Sequence, residues 1–435
     1  MIASSIGKKF LSEYNRRKNL NYSAKEFFEK VFYPLFYDHP KYLQWITNSP
    51  FVQGIRKGAY PTQQERKEKF TRLIEKLSSQ RPDASIAIGY PSLDEIATTS
   101  GQITNLKLPL KEDDYYASWI GGGLGVGVQG GYSIYFEEPE ILWKIHEGWN
   151  VYREHLNNLD KLRPNQIETW NGQWIVHFLQ EDYSSSLLFS PFEATKDGGL
   201  EVPTQRWTEI LLSIANNISG RTLNGYVFNL GQTNTTIGFI PFNLPQLKKP
   251  VQFYIDLFGK NEYLDNGKLI RSLYGTRFGF AAACEMGVIG VRALEPKDLR
   301  QYMTEQSKKV RLPDYSRADN EQQISFKTYQ TWLLAMLDNK QLWDKANEAA
   351  QAYIQYEGEA KKLTTKNFRL VEEVFDSTSK RKFIEENIPL LKASSIAASA
   401  INKLVEEINS MPEDSFKYFL TLIKFRYSFI KSQTK

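Results

Sequence analysis

The sequence predicts an α+β protein, with an irregular mixed α/β N-terminal body over residues 1–300 and an all-α helical bundle over residues 301–435. Up to about residue 295, glycine is frequent, and short β-branched and aromatic runs alternate with helical patterns. Beyond Pro296, Gly358 is the one remaining glycine, and apolar residues recur at the three- and four-residue spacing of a helix face. These changes in composition and period place the boundary near residue 300.

The bundle region carries its helical signal in two segments near the C-terminus. Both repeat apolar residues at i, i+3, i+4 and i+7. The residues are Ile401, Leu404, Val405 and Ile408, then Phe416, Phe419, Leu420 and Ile423. A helix buries such a stripe against other helices, so residues 300–435 predict a bundle of about four or five helices.

The residue patterns of the N-terminal body predict helices that alternate with short strands. Helical patterns cover residues 1–45, 62–77, 140–158 and 204–215. Runs typical of strands cover residues 85–90, 103–108, 132–136, 174–179, 225–230, 236–241 and 287–294. The polar segments 216–217 and 231–235 predict loops between them.

Length and composition limit the class of protein. At 435 residues the chain is long enough for two or three domains. No run approaches the roughly 18 apolar residues of a membrane span, and the segment after Met1 lacks the apolar core of a signal peptide. Cys284 is the single cysteine, which excludes an internal disulfide and a cysteine-rich metal site. A cytoplasmic location is therefore the default expectation.

The charge balance permits nucleic-acid binding without requiring it. The chain carries 55 basic and 50 acidic residues, a net charge of +5, so a polyanion site would have to be a local patch. The first helical segment contains a basic cluster, Lys8, Lys9, Arg16 and Arg17. This cluster predicts either a solvated helix face or a patch that contacts phosphates.

A glycine cluster at residues 121–131 is the most unusual local feature, since seven of its eleven residues are glycine. Glycine loses more backbone entropy on folding than other residues, so the cluster indicates tight turns or close approach of the backbone to a neighbour or ligand. Gly125-x-Gly127-x-x-Gly130 matches the dinucleotide fingerprint only formally, because a predicted strand follows where that motif needs a helix. A packed turn or bulge, and a loop that contacts a nucleic-acid backbone, both remain open.

The sequence offers no convincing catalytic constellation, and it predicts no catalytic residue, metal ion or cofactor. His146 begins a segment similar to a zinc-protease helix, but Asn150 stands where the second ligand must be. Cys284 lies in an apolar run that suits a core thiol. A Pro-Asp pair ending at Asp83 leaves a restriction-type nuclease open, although the nearby Glu-x-Lys at 65–67 precedes it.

Three stretches resemble the large subunit of type I CRISPR surveillance complexes (Cascade). Residues 48–54, Asn-Ser-Pro-Phe-Val-Gln-Gly, are similar to an Asn-Pro-Phe-Val turn early in some members, with Ser49 inserted. Residues 121–131 are a glycine-rich loop of the sort these proteins carry. Residues 419–427, Phe-Leu-Thr-Leu-Ile-Lys-Phe-Arg-Tyr, look like their last bundle helix. The cysteine pairs of some members are absent here.

The resemblance implies a non-catalytic subunit that recognises the protospacer-adjacent motif (PAM) on double-stranded DNA and stabilises the opened strands. Its partners in antiviral defence would be the DNA target, the guide RNA and the other subunits of the ribonucleoprotein complex. The DNA-binding candidates are side-chain amides, which read base edges, and basic residues, which follow phosphates. They are Asn48, Gln53, Asn105 and Gln129, with Lys8, Lys9, Arg16 and Arg17 near the start and Lys424, Arg426 and Lys431 near the end.

Two other classes of function stay open. One is a metal-dependent defence nuclease with Asp83 among its ligands. The other is a structural or interaction subunit without nucleic-acid affinity, which the near-balanced charge favours. Mg²⁺-dependent cleavage would mark the first class, and absence of salt-dependent DNA binding would mark the second.

Overall fold

A computed structural model of the chain describes most of its residues. They are 1–46, 49–55, 59–79, 82–90, 110–180, 183, 189–218, 220–229, 236–276, 278–304, 311–360, 370–393 and 397–434. Helices dominate the described residues, with a small four-stranded antiparallel sheet, two short strand pairs and a helical C-terminal region, so the predicted α+β class is confirmed. None of the helices in these ranges is long and apolar enough to cross a membrane.

The chain divides into two compact units. The first comprises Met1–Leu244 with Phe278–Ile289, and the second comprises Pro245–Arg277 with Gly290–Lys435. The four-stranded sheet lies in the first unit and the C-terminal helices lie in the second. The change of composition near residue 300 falls inside the second unit.

The first unit is mostly helical. Within its described residues the helices are α1 (Ile2–Lys18), α2 (Ala24–Phe27), α3 (Tyr33–Phe36), α4 (Gln63–Ser79), α5 (Glu112–Gly122), α6 (Pro139–Asn158), α7 (Ile167–Phe178), α8 (Trp207–Asn217) and α11 (Phe280–Glu285). A π-helical turn, Phe28–Phe32, joins α2 to α3. The predicted helices at 62–77, 140–158 and 204–215 are confirmed, with ends shifted by a few residues, and the helical segment predicted at 1–45 is interrupted after Lys18 and ends at Phe36.

The first unit contains one four-stranded antiparallel sheet. Its strands, in their order across the sheet, are β1 (Val126–Val128), β2 (Tyr132–Phe136), β5 (Thr222–Asn229) and β6 (Thr236–Asn243). Ile134 of β2 lies opposite Val126 on one side and Val227 on the other. The predicted strands at 132–136 and 236–241 are confirmed, as is 225–230 up to Asn229. A two-stranded ribbon pairs β3 (Glu193–Ala194) with β4 (Leu200–Glu201).

The predicted strand at residues 174–179 is wrong, because nearly all of the segment belongs to α7. Ile167, Trp170 and Trp174 recur at helical spacing, and each is at most 5% exposed. The rings of Trp170 and Trp174 stack with centroids 5.9 Å apart, and both indole N–H groups donate to main-chain carbonyls of α6 at 2.8 Å. Burial of two large rings on one helix face thus overrides the strand preference of the segment.

Two further strand predictions are wrong. Residues 85–90 form turns in which Ile86 is fully buried. Residues 287–294 form turns that lead into a 3₁₀ segment, Val291–Ala293. Gly287 has a φ of +82°, a left-handed conformation that interrupts extended backbone. The strand predicted at 103–108 lies outside the described residues.

The glycine cluster is a helix end followed by a hairpin. Its first two residues end α5, its middle residues form β1, and Gly130 and Gly131 turn the chain into β2 with φ of +98° and +78°. A β-carbon built on Gly127 would lie 3.1 Å from the main-chain carbon of Glu168. Both expected uses of glycine, left-handed turns and close backbone approach, therefore occur within the cluster.

Helices α1 and α5 pack at backbone contact distance through small residues. Ala3 and Gly7 lie one turn apart on α1, and Ala117 and Gly121 lie one turn apart on α5. A β-carbon built on Gly7 would lie 1.9 Å from the carbonyl oxygen of Ala117. One built on Gly121 would lie 1.9 Å from the carbonyl oxygen of Ala3. Any side chain at either glycine would therefore push the helices apart.

The second unit is a bundle of helices with a short strand pair. Its helices within the described residues are α9 (Leu244–Phe258, which begins at the unit boundary), α10 (Lys260–Leu273), α12 (Asn320–Leu337), α13 (Leu342–Ala360), α14 (Leu370–Phe375), α15 (Lys380–Ala393), α16 (Ala398–Ser410) and α17 (Glu413–Gln433). The strand pair is β7 (Tyr274–Gly275) with β8 (Glu295–Pro296), and a 3₁₀ segment covers Leu299–Tyr302. Six of the helices follow residue 300, where four or five were predicted.

We expect Gly7→Ala and Gly121→Ala each to lower the free energy of unfolding by about 2–3 kcal/mol, because a methyl group overpacks the α1–α5 contact. Gly358→Ala on α13 is the matched control. No atom lies within 4 Å of the β-carbon position at Gly358, so alanine there is expected to stabilise by about 0.5–1 kcal/mol. Urea unfolding followed by circular dichroism measures all three, and unchanged midpoints for the first two variants would contradict the close contact.

Candidate nucleic-acid interface

One face of the four-stranded sheet carries a row of aromatic side chains. Tyr135 of β2 lies opposite Tyr226 of β5, which lies opposite Phe239 of β6, so the three side chains share one face. Phe228 lies two residues beyond Tyr226 on β5 and shares that face. The ring centroids of Tyr226 are 5.1 Å from Phe239 and 6.2 Å from Phe228, and those of Phe228 and Tyr135 are 4.7 Å apart. We call these four residues the aromatic row.

The aromatic row passes from buried to exposed across the sheet. Tyr135 is 6% exposed, the next two rings are half-buried, and Phe239 is 62% exposed. The opposite face of the sheet carries Ile134, Val227 and Phe242, which are fully buried. The core thus lies on that opposite face, and the outer part of the aromatic row presents flat apolar surface to solvent.

The hairpin between β1 and β2 places Gln129 at its tip. Gln129 is exposed, and its main-chain N–H donates to the carbonyl oxygen of Gln205 at 3.0 Å. Its side-chain amide makes no hydrogen bond to any described residue. A β-carbon built on Gly131 would lie 3.6 Å from the Asn229 amide oxygen, so the tip lies beside the end of β5. The hairpin therefore presents an unengaged amide at one end of the sheet.

A carboxyl group lies beside the covered end of the aromatic row. Glu168, in the first turn of α7, points at Gly125, where a β-carbon would lie 2.8 Å from both Glu168 Oε1 and Ser133 Oγ. Protein atoms surround the carboxyl on most sides, yet part of the side chain stays open to solvent. This burial raises the pKa of the Glu168 carboxyl to about 8, so a large fraction is protonated at neutral pH.

The predicted basic cluster of α1 is paired with carboxylates. The pairs are Lys8 with Asp114 at 2.5 Å, Lys9 with Glu137 at 2.7 Å, Arg16 with Glu13 at 2.6 Å, and Arg17 with Glu13 at 2.5 Å and with Glu140. A phosphate would have to displace an acid to reach any of these cations. The cluster is thus electrically balanced in this fold.

The predicted basic residues near the C-terminus hold the bundle together. Lys424 is fully buried on α17 and donates to Thr304 Oγ1 at 2.6 Å, and burial lowers the pKa of Lys424 to about 7. The Arg426 guanidinium lies 4.2 Å from the ring centroid of Trp343. Lys431 forms an ion pair of 2.8 Å with a buried glutamate of α13. Lys424 is inaccessible to a phosphate here, and the other two already have partners within the bundle.

The remaining amide candidates divide between described and undescribed residues. Asn48 and Asn105 lie outside the described residues. Gln53 is exposed in the turn at 49–55, and its main-chain carbonyl accepts a hydrogen bond from Lys69 Nζ. The structure therefore places Gln53 and Gln129 on the surface, in separate segments of the first unit.

The carboxylates considered for a nuclease site serve local structure. Asp83 accepts a hydrogen bond from the N–H of Ser85 at 2.6 Å, and Glu65 accepts one from the N–H of Thr62 at the start of α4 at 2.6 Å. Among the residues that the structure describes, no group of three or more His, Cys, Asp or Glu side chains is placed to hold a metal ion.

His146 and Cys284 are both core residues. The ring of His146 lies 5.2 Å from Phe10 and 5.3 Å from Trp149, and burial lowers the pKa of His146 to about 4, so it is neutral. Burial raises the pKa of the Cys284 thiol to about 12, which keeps it protonated. The expectation of a core thiol at Cys284 is confirmed.

The sequence pattern predicted neither the aromatic row nor a functional role for Glu168. Tyr226 and Phe228 alternate as strand residues of one face do, but alternation does not tell which face is covered. Glu168 belongs to a segment whose pattern is that of an ordinary helix start, and its isolation arises from the hairpin packed against it.

No protein family, curated protein or solved structure matches this chain.

We expect the free energy of unfolding of the wild type to fall between about pH 5 and about pH 8.5 relative to Glu168→Gln. The pKa of Glu168 is raised from 4.5 to about 8, so the folded state holds the proton more tightly than the unfolded state. The stabilisation that comes from protonated Glu168 is therefore fully present below pH 4.5 and is lost as pH rises through about 8. The expected loss is on the order of 2 kcal/mol once solvent access is allowed for.

Urea unfolding at several pH values measures this difference between wild type and Glu168→Gln. Glu154→Gln, at an exposed position on α6, is the matched control for loss of one carboxyl group. Parallel pH profiles for wild type and Glu168→Gln would contradict the raised pKa.

Proposed function

We propose that this protein is a non-catalytic nucleic-acid-binding subunit, and that unpaired bases stack on its aromatic row. The observation that carries the proposal is Phe239, a 62% exposed ring continuous with three further rings across the sheet. Every base has a flat π face, so aromatic side chains on a sheet bind single strands with little dependence on sequence. Proteins seldom leave connected aromatic rings in water without a partner for them.

The Gln129 hairpin supplies a second element of the proposal. A two-stranded ribbon enters a DNA groove, and a glutamine amide both donates to and accepts from base edges. The side-chain amide of Gln129 makes no hydrogen bond to a described residue, and the adjoining Gly130 and Gly131 let the backbone approach DNA closely. The hairpin is therefore the part of the sheet that we assign to duplex DNA.

The resemblance of residues 48–54, 121–131 and 419–427 supports a more specific form of the proposal. In that form the chain is the large subunit of a type I CRISPR effector complex in the cytoplasm, with guide RNA and other subunits as partners. The hairpin recognises the PAM on double-stranded DNA, and the aromatic row holds bases of an opened strand.

Because the basic residues are already paired, phosphate contacts are expected to contribute little to the binding affinity. The cations of α1 are balanced by carboxylates, and the C-terminal cations are buried or paired. Stacking is therefore expected to supply more of the affinity than phosphate contacts do. The affinity for a single strand would then fall only modestly with added salt, because few counterions are released.

We expect Phe239→Ala to weaken binding of the full-length chain to a single-stranded oligonucleotide by roughly 10-fold, since one base loses its stacking partner. Fluorescence anisotropy at two salt concentrations, with and without Mg²⁺, measures the affinity. Leu264→Ala is the matched control, because Leu264 is a 45% exposed apolar residue on α10 of the second unit.

Two outcomes of that experiment would contradict the proposal. Wild-type chain that binds neither single-stranded nor duplex DNA would favour an interaction subunit. Cleavage of the oligonucleotide in Mg²⁺ would favour a nuclease and make Asp83 the next residue to vary.

We expect Gln129→Ala to relax motif recognition on duplex DNA while leaving single-strand affinity within about twofold, because the hairpin tip contacts base edges and not the stacked strand. Selection from a duplex pool with a randomised segment, followed by sequencing of the bound fraction, measures the preference. Gln351→Ala, an exposed glutamine of α13, is the control. Equal enrichment with wild type and Gln129→Ala would remove Gln129 from the contact.

A further inference from the structure

The Glu168 carboxyl has no partner among the residues that the structure describes. It makes no hydrogen bond and no ion pair with a described residue, and burial alone accounts for its altered pKa. Partial burial of a carboxyl costs free energy when no donor replaces the hydrogen bonds to water that it loses. Such a group is satisfied by a ligand that brings N–H donors.

Two buried polar atoms beside Glu168 also have no partner in the described part of the chain. Ser133 and Asn171 are fully buried, and neither Ser133 Oγ nor Asn171 Oδ1 is hydrogen-bonded to a described residue. Ser133 Oγ and Glu168 Oε1 both lie 2.8 Å from the β-carbon position of Gly125, so they are at most twice that distance apart. Asn171 Nδ2 fixes this place by donating to the carbonyl oxygens of Gly123 at 2.9 Å and Gly125 at 2.8 Å. The result is a cluster of three polar groups with unused hydrogen-bonding capacity.

This polar cluster lies beside the covered end of the aromatic row. Ser133 lies opposite Phe228 in the sheet register, and Tyr135 lies two residues further along β2 on the same face. The charge of Glu168 acts on Tyr135, and Tyr135 lies next to Tyr226, so the carboxyl and the aromatic row are neighbours. A base stacked on Phe228 can therefore turn its hydrogen-bonding edge towards Glu168.

We propose that Glu168 reads an unpaired guanine held on the aromatic row, an inference that rests on the proposed function. An ionised carboxylate is an acceptor with two oxygens. The Watson–Crick edge of guanine offers two adjacent donors, N1–H and the N2 amino group, which pair with both oxygens at once. Ser133 acts as a positioning residue, whose hydroxyl donates to the carboxylate once it carries charge.

Other bases match the Glu168 carboxylate less well. Adenine and cytosine each offer one amino donor beside an acceptor, and thymine offers one N–H between two acceptors. An acceptor placed against a carboxylate repels it, whereas two donors stabilise the ionised form. Guanine binding therefore releases the proton that the free carboxyl holds. Of the described titratable groups, only Tyr135, with Tyr226 behind it, is coupled to this site, and burial keeps the pKa of Tyr135 far above neutrality.

Single-stranded oligothymidylates with one central variable position test the assignment on the full-length chain. The variable base is guanine, hypoxanthine, adenine, cytosine or thymine, and fluorescence anisotropy gives each affinity for wild type and Glu168→Gln. We expect wild type to prefer guanine by roughly 10-fold, and hypoxanthine, which lacks the N2 amino group, to lose most of that preference. We expect Glu168→Gln to bind all five within about twofold, because its amide presents a donor where the second acceptor was.

The outcomes distinguish failure of the guanine assignment from failure of the proposed nucleic-acid-binding function. Wild type that binds all five oligonucleotides equally overturns the guanine assignment and leaves stacking on the aromatic row intact. Wild type that binds none overturns the proposed function together with the assignment. A guanine preference that persists in Glu168→Gln overturns the role of Glu168. Thermal unfolding of Glu168→Gln at neutral pH checks that the variant is folded.

Discussion

The close contact between α1 and α5 is the constraint on which the rest of the first unit depends. Gly7 and Gly121 bring the two helix backbones together, and no other residue type fits at either position. Helix α5 runs straight into the glycine cluster, where Asn171 of α7 binds the carbonyl oxygens that follow the helix end. The place of β1, and through it of the sheet and the aromatic row, therefore follows from how tightly α5 is held.

The aromatic content of the chain serves the core first. Rings such as Phe32, Phe36 and Trp149 are fully buried and contact one another, with Phe32 and Phe36 stacked at 4.0 Å. Basic side chains also have internal contacts, since those of α1 and α17 contact carboxylates, hydroxyls and aromatic rings. The groups that stand out as functional are an exposed ring and two side chains that make no hydrogen bond to a described residue. Gln129, Phe239 and Glu168 are the three on which the proposals depend.

The sequence predicted more of the fold than of the site. The α+β class, the main helices of the first unit, and the strands at 132–136, 225–230 and 236–241 follow from apolar period and from turn residues. The errors share one cause. At 174–179, 85–90 and 287–294, short apolar runs satisfy strand and buried-helix or turn patterns equally well, and tertiary packing decides between them.

The site was less predictable because it depends on what surrounds each side chain. Lys8, Lys9 and Lys424 were predicted from the sequence to contact a polyanion, yet the acids and the hydroxyl that they contact come from positions about 100 or more residues away. The sequence by itself determined the fold class, the strand at 132–136, and the core character of Cys284, because local period, turn chemistry and composition fix these. Only the tertiary structure decided which charges are cancelled, which face of the sheet is open, and that Glu168 lies isolated beside that face. These properties arise from long-range packing, which no local pattern encodes.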